Sequence, residues 1–128
     1  MTKRLSAKGS RDKGLKFERE LIAFVKQSLD LDVARGVAGA QAFDHSRGSS
    51  DIFGLPRLAV EAKRTERFLL NEFMAQAVRN ATGGDMPLVI HRQSRQPTGE
   101  ATVAIRLSDF FTIYDAFLRY HGLKPDDR

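Results

Sequence analysis

The chain contains no cysteine and no tryptophan. The first absence excludes disulfides, thiolate metal sites and cysteine nucleophiles, and a reducing, cytoplasmic setting fits it. No apolar run is long enough to span a bilayer, so no membrane partner is expected. The basic N-terminus has no apolar h-region behind it, so no secretory signal is expected either. Three histidines are present, His45, His91 and His121, and they are not at metal-ligand spacing. An ordinary loop position is the reading for His45 and a satisfied structural role for His91. Internal repeats are absent.

What remains is ordinary globular material. At 128 residues, 41% hydrophobic and with nine phenylalanines, one domain with its own core is expected. Net charge is +5 and the sequence pI is near 9.9. The excess is uneven: Lys3, Arg4, Lys8, Arg11 and Lys13 stand against Asp12 alone near the start. Residues 1–13 therefore read as a basic flexible arm and 14–124 as the folded domain. Such an arm suits an anionic polymer, and it equally suits a solvated tail.

Apolar spacing predicts a helix over 15–29, with Leu21, Ile22, Val25 and Leu29 on one face. A strand is expected near 32–37, then a Gly/Ala/Ser-rich loop over 38–49 carrying Arg47. Two short strands follow, joined by a turn at Gly54-Leu55-Pro56-Arg57. Asn71 is expected to cap a helix to about Ala81, with Gly83-Gly84 beyond it. Strands are expected over Pro87–His91 and Ala101–Leu107. Ser108 is expected to cap a last helix to about His121, with Phe110, Phe111, Tyr114, Phe117 and Leu118 facing inward. The order α-β-β-β-α-β-β-α implies one sheet flanked by helices.

Acids interrupt this pattern. Glu61 and Lys63 point to one face of their strand, and the face of Asp51 depends on the turn. A two-residue loop at Pro56-Arg57 sends Asp51 to the opposite side. A three-residue loop at Leu55-Pro56-Arg57 sets it against Glu61, and this register is the one expected here. Opposed carboxylates repel, but Mg²⁺ between them makes a site, with oxygen ligands at roughly 2.1 Å. Glu18 is a second anomaly, because helical spacing sets it among Leu21, Ile22 and Val25, whereas Glu20 falls on the polar side. A buried carboxylate needs a partner or a metal. The plainer readings are a first-turn acid favoured by the helix dipole and edge-strand charges that discourage aggregation.

Taken together, GLKFERELIAFVKQ, VARGVAG, SSDIFGL and LAVEAKR resemble the PD-(D/E)xK nuclease superfamily, and within it the archaeal- and phage-type Holliday-junction resolvases. The superfamily's proline before the acid is Ser50 here. The resemblance implies a restriction-endonuclease-like α/β fold, a mixed central sheet flanked by helices. It implies that Glu18, Asp51 and Glu61 hold Mg²⁺, with Mn²⁺ able to substitute, and that Lys63 is the catalytic lysine supported by Gln76. Arg35, Ser49 and Ser50, with Arg47, Lys13 and Arg11, become candidate DNA contacts. The expected activity is structure-selective endonucleolytic cleavage of branched DNA by a homodimer, in the cytoplasm of a prokaryotic, archaeal or phage-infected cell. Part of the last helix's aromatic stripe would then serve the dimer. The alternatives are a nuclease of this fold acting on flaps, nicks or other DNA, and a non-catalytic DNA-binding protein.

Overall fold

A computed structural model describes residues 7–36 and 50–126. It is a mixed α/β structure. Helix α1 (Ala7–Leu29) leads to strands β1 (Ala34–Arg35), β2 (Ile52–Phe53) and β3 (Leu58–Arg64). Helix α2 (Leu70–Asn80), strand β4 (Met86–Arg92), a 3₁₀ turn (Thr98–Glu100), strand β5 (Thr102–Ile105) and helix α3 (Leu107–Tyr120) complete the order. The three helices and the mixed sheet agree with the expected class and element order.

The sheet β3-β4-β5 carries the core. β3 runs parallel to β4, with α2 as the crossover that a parallel pair requires, and β5 returns antiparallel to β4. Alternation along the strands sends side chains to opposite faces. Val60 and Leu88 join Phe17, Leu21 and Val25 of α1, whose i, i+4, i+8 spacing forms one stripe. Val89 points the other way, onto Phe73 and Ala77 of α2. The sheet is thus layered between α1 and α2; the α1 face of the parallel pair is apolar at Val60 and Leu88, whereas on the other face Glu61 and Lys63 of β3 stand beside Val89 and His91 of β4. Phe17 is wholly buried at the centre of the larger cluster.

β1 and β2 form a separate antiparallel pair, Ala34 opposite Phe53 and Arg35 opposite Ile52. The turn at 54–57 forms where it was expected, closed by Leu58 N donating to Leu55 O at 3.2 Å. Gly54 is required there. Its φ is +101°, and a Cβ would stand 2.5 Å from Asp32 O.

Several expectations are corrected. α1 begins at Ala7, so residues 7–13 continue the helix where a flexible arm was expected; Lys13 Nζ donates to Ser94 Oγ at 3.2 Å and ties this first part to the body. Asn71 and Ser108 do not cap. α2 and α3 start two residues earlier than those caps require, after Leu69 and Arg106, with no side-chain cap bond at either. The inward face of the last helix is also not observed, since no residue of α3 is buried. It follows β5 after Arg106 alone, whose extended backbone (φ −64°, ψ 144°) carries it off the sheet. No helix among the described residues is long and apolar enough to cross a membrane.

Candidate active site

β3 is an edge of the three-stranded sheet, and its outer side is met by Ser50 and Asp51. Ser50 is buried. Its Oγ accepts from Val60 N at 2.9 Å and donates to Ile52 O at 2.7 Å. One hydroxyl thus stands in for ladder bonds and knits the approach to β2 onto β3. Asp51 follows. Its N–H donates to Val60 O at 2.8 Å, and its Oδ2 accepts from Ala62 N at 2.7 Å. The aspartate bonds Val60 and Ala62 on either side of Glu61, which brings its carboxyl near that of Glu61. The turn itself closes around Pro56-Arg57, so the three-residue loop expected from the sequence is not the one formed, and the approach is made by the Asp51 side chain without a regular ladder between the two strands.

Electrostatics follow from this geometry. Burial pushes the Asp51 carboxyl up to about 7 from 3.8; the Glu61 charge pushes the same way, and the Ala62 N–H partly offsets both. Glu61 is 4% exposed, held by Lys63 Nζ at 3.4 Å and by Asn80 Nδ2, which donates to its other oxygen at 3.2 Å. Lys63 Nζ also stands 5.4 Å from the centre of the Phe73 ring, a cation–π position. Glu18 is half-buried and raised by desolvation, with the Glu61 charge adding to it, while its partner Arg35 at 3.9 Å pulls it down.

Glu18, Asp51, Glu61 and Lys63 therefore share one electrostatic environment, from three different elements. The three acids do not form a single cage. Among the described residues, no three of His, Cys, Asp and Glu stand close enough to surround an ion. Asp51 and Glu61 are the pair, and Glu18 is engaged with Arg35. Their oxygen-only donor set is the kind that suits a hard divalent cation.

The remaining expected contacts divide. Ser50 is a structural residue, not a surface one, because its hydroxyl is used up on backbone groups. Lys13 lines a cleft of about 400 Å³ with Ala62, Lys63, Arg64, Thr65 and Glu66. Arg11 is exposed on the same helix. Arg35 is occupied by Glu18. Arg47 and Ser49 lie outside the described residues.

Asn80 was missed. It supplies a polar contact from α2 to Glu61, whereas the supporting residue expected on this helix was Gln76, one turn earlier. The signal was available, since Asn80 follows Phe73 by seven and Ala77 by three, a polar residue on the buried stripe of α2. Glu20, read as a polar-face residue, is half-buried and pairs with Arg92, whose guanidinium also lies over Phe17. His91 fills the structural role expected of it. It is buried, its Nε2 lies 2.9 Å from Thr65 O, and its ring stacks on Phe68 at 4.4 Å.

No family model, no curated protein and no solved structure matches the chain.

Proposed function

We propose that the protein is a metal-dependent DNA endonuclease with a restriction-endonuclease-like core, a homodimer that resolves four-way junctions by paired nicks. The observation that carries this reading is the Asp51–Glu61 pair at the edge of β3, with Lys63 Nζ 3.4 Å from Glu61. Two adjacent, largely buried carboxylates are costly unless a proton or a cation relieves them. A protein that only binds DNA gains nothing from acids that repel phosphate.

Asp51 and Glu61 would hold Mg²⁺, with Glu18 beside them, and the ion would supply Lewis acidity toward a phosphodiester. The chain's own residues do the rest. Asn80 and Lys63 fix the Glu61 carboxylate from both ends. The Ala62 N–H orients the Asp51 carboxylate toward that position. Lys63 carries a positive charge at the rim of the Lys13–Thr65 cleft, where it would offset charge developing on an attacked phosphate. Lys13 and Arg64 extend the cationic wall of that cleft for the neighbouring backbone.

The test is to incubate the protein with a labelled four-way junction and a matched linear duplex, with Mg²⁺ or EDTA, beside Glu61→Ala. Symmetric nicks in the junction alone, lost with EDTA and lost by on the order of 10³-fold in the variant, are expected. Metal-dependent cutting of both substrates would keep the nuclease and discard the junction. Binding without cutting, unchanged in Glu61→Ala, would sink the enzyme and leave a DNA-binding protein.

A further inference from the structure

The start of β3 carries a second concavity, at the opposite end of that strand from the Lys13–Thr65 cleft. A pocket of about 320 Å³ is lined by Phe53, Leu55 and Pro56, around the turn that joins β2 to β3, and by Arg57 and Asp85. Arg57 and Asp85 immediately precede Leu58 and Met86, which are opposite each other in the parallel pair, and Met86 N donates to Arg57 O at 2.7 Å. The two charged side chains therefore leave neighbouring points of the backbone. Opposite charges so placed would be expected to pair. They do not: among the described residues, no ion pair or side-chain hydrogen bond engages either Arg57 or Asp85. Arg57 is unusual in a second way. Its φ is +66°, a left-handed backbone that favours Gly or Asn, so the turn keeps a long cationic side chain at a conformational cost.

Apolar walls with one unspent cation and one unspent anion suit a flat ring whose edge presents acceptors beside donors. The DNA bases sort clearly against that demand. Guanine offers N7 and O6 as acceptors to an arginine, and next to them N1–H and N2–H as donors to a carboxylate. Adenine and cytosine put an amino group where Arg57 needs an acceptor. Thymine offers O4 and N3–H, but its O2 then faces the second carboxylate oxygen.

We infer that this pocket takes an unpaired guanine base of a DNA strand, with Asp85 accepting from N1–H and N2–H and Arg57 donating to O6 and N7. A paired guanine is excluded, because its N1–H and N2–H are spent on cytosine and its faces on its neighbours in the stack. The position suits the acids. Ser50 lines the pocket and Asp51 follows it, while Leu58, also in the lining, stands three residues before Glu61, roughly 10 Å along β3. On the nuclease reading, on which this last step rests, the pocket makes the enzyme prefer strands splayed out at a branch over intact duplex.

Binding alone tests the pocket, in EDTA, so its failure and that of the nuclease reading are distinguishable. The probe is a fluorescent homothymidine strand with one central guanine, titrated with the full chain and read by anisotropy. It should bind on the order of tenfold tighter than the same strand with adenine there, or with hypoxanthine, which lacks the N2 amino group. Annealing to a complementary strand should abolish that advantage. Asp85→Asn should keep its melting temperature, lose the guanine preference and prefer xanthine, since an amide accepts from N1–H and donates to the oxygen that replaces the amino group. The hypoxanthine comparison uses the wild type, so it does not depend on the variant folding. Equal binding of guanine, adenine and hypoxanthine overturns the proposal. So does an advantage that persists in the duplex, or a guanine preference unchanged in Asp85→Asn. Competition by guanosine monophosphate at the strand's own concentration would make the ligand a free nucleotide and overturn it as well. A chain with the guanine preference that cuts nothing would keep the pocket and sink the nuclease; one that cuts the junction without the preference would do the reverse.

Discussion

Helices α1 and α3 are both amphipathic, yet they end in opposite situations. α1 sets Phe17, Leu21 and Val25 under the sheet and buries all three. α3 carries a richer aromatic stripe and buries none of it. The difference lies in the connections. After α1 the chain turns at Asp30, whose φ of +53° ends the helix, and goes on to β1 beside it. After β5 the chain has one residue before α3 begins. Periodicity creates an apolar face in each helix, and the linker decides whether the molecule can cover that face itself.

Replacing one residue in each helix tests the comparison most directly. Phe17→Ala should cost about 3–5 kcal/mol in urea unfolding, since Phe17 is fully buried and its removal leaves a cavity. If Phe117→Ala costs as much at concentrations too low for association, the contrast between the helices fails.

The acid pair at the edge of β3 gives the next largest effect. The folded-state pKa of Asp51, about 7, lies above its ordinary 3.8. A raised acid favours folding only while protonated, so stability should be highest near pH 4, fall as pH rises, and level off above about 7. The full swing is at most roughly 4 kcal/mol at 1.36 kcal/mol per pKa unit. Asp51→Asn should flatten the metal-free curve through that window. A wild type whose stability is constant from pH 4 to 8 would contradict the burial of this carboxyl.

Ser50→Ala should cost about 1–3 kcal/mol, because Val60 N–H is left without its acceptor at a buried position. A change in DNA affinity with no change in melting temperature would instead restore Ser50 to the substrate surface. The smallest effect belongs to Phe117→Ala in the dissociated chain, within about 0.5 kcal/mol, the range of ordinary surface substitutions.

Much of the candidate site was legible in the residues. Asp51, Glu61 and Lys63 announced themselves as charges inside otherwise apolar strands, and Glu18 as a charge on an apolar helix face. Asn80 obeyed the same rule on α2 and could have been found by it. The buried role of Ser50 had no such signal. A serine in a Gly/Ser-rich stretch looks like loop, and only the arrival of Val60 N–H at its hydroxyl makes it structural. The pairing of Glu20 with Arg92 was likewise invisible, because 72 residues separate them along the chain.

The sequence by itself determined the order of elements, the turn at 54–57 and the anomalous acids, because helical and strand periods and turn chemistry are local properties of neighbouring residues. Only the tertiary structure decided that Asp51 clasps Glu61 through Ala62, that Glu18 is held by Arg35 apart from that pair, and that α3 stands off the body. Each of these depends on which distant backbone or charge comes within a few ångströms, and that is set by packing and by linker length.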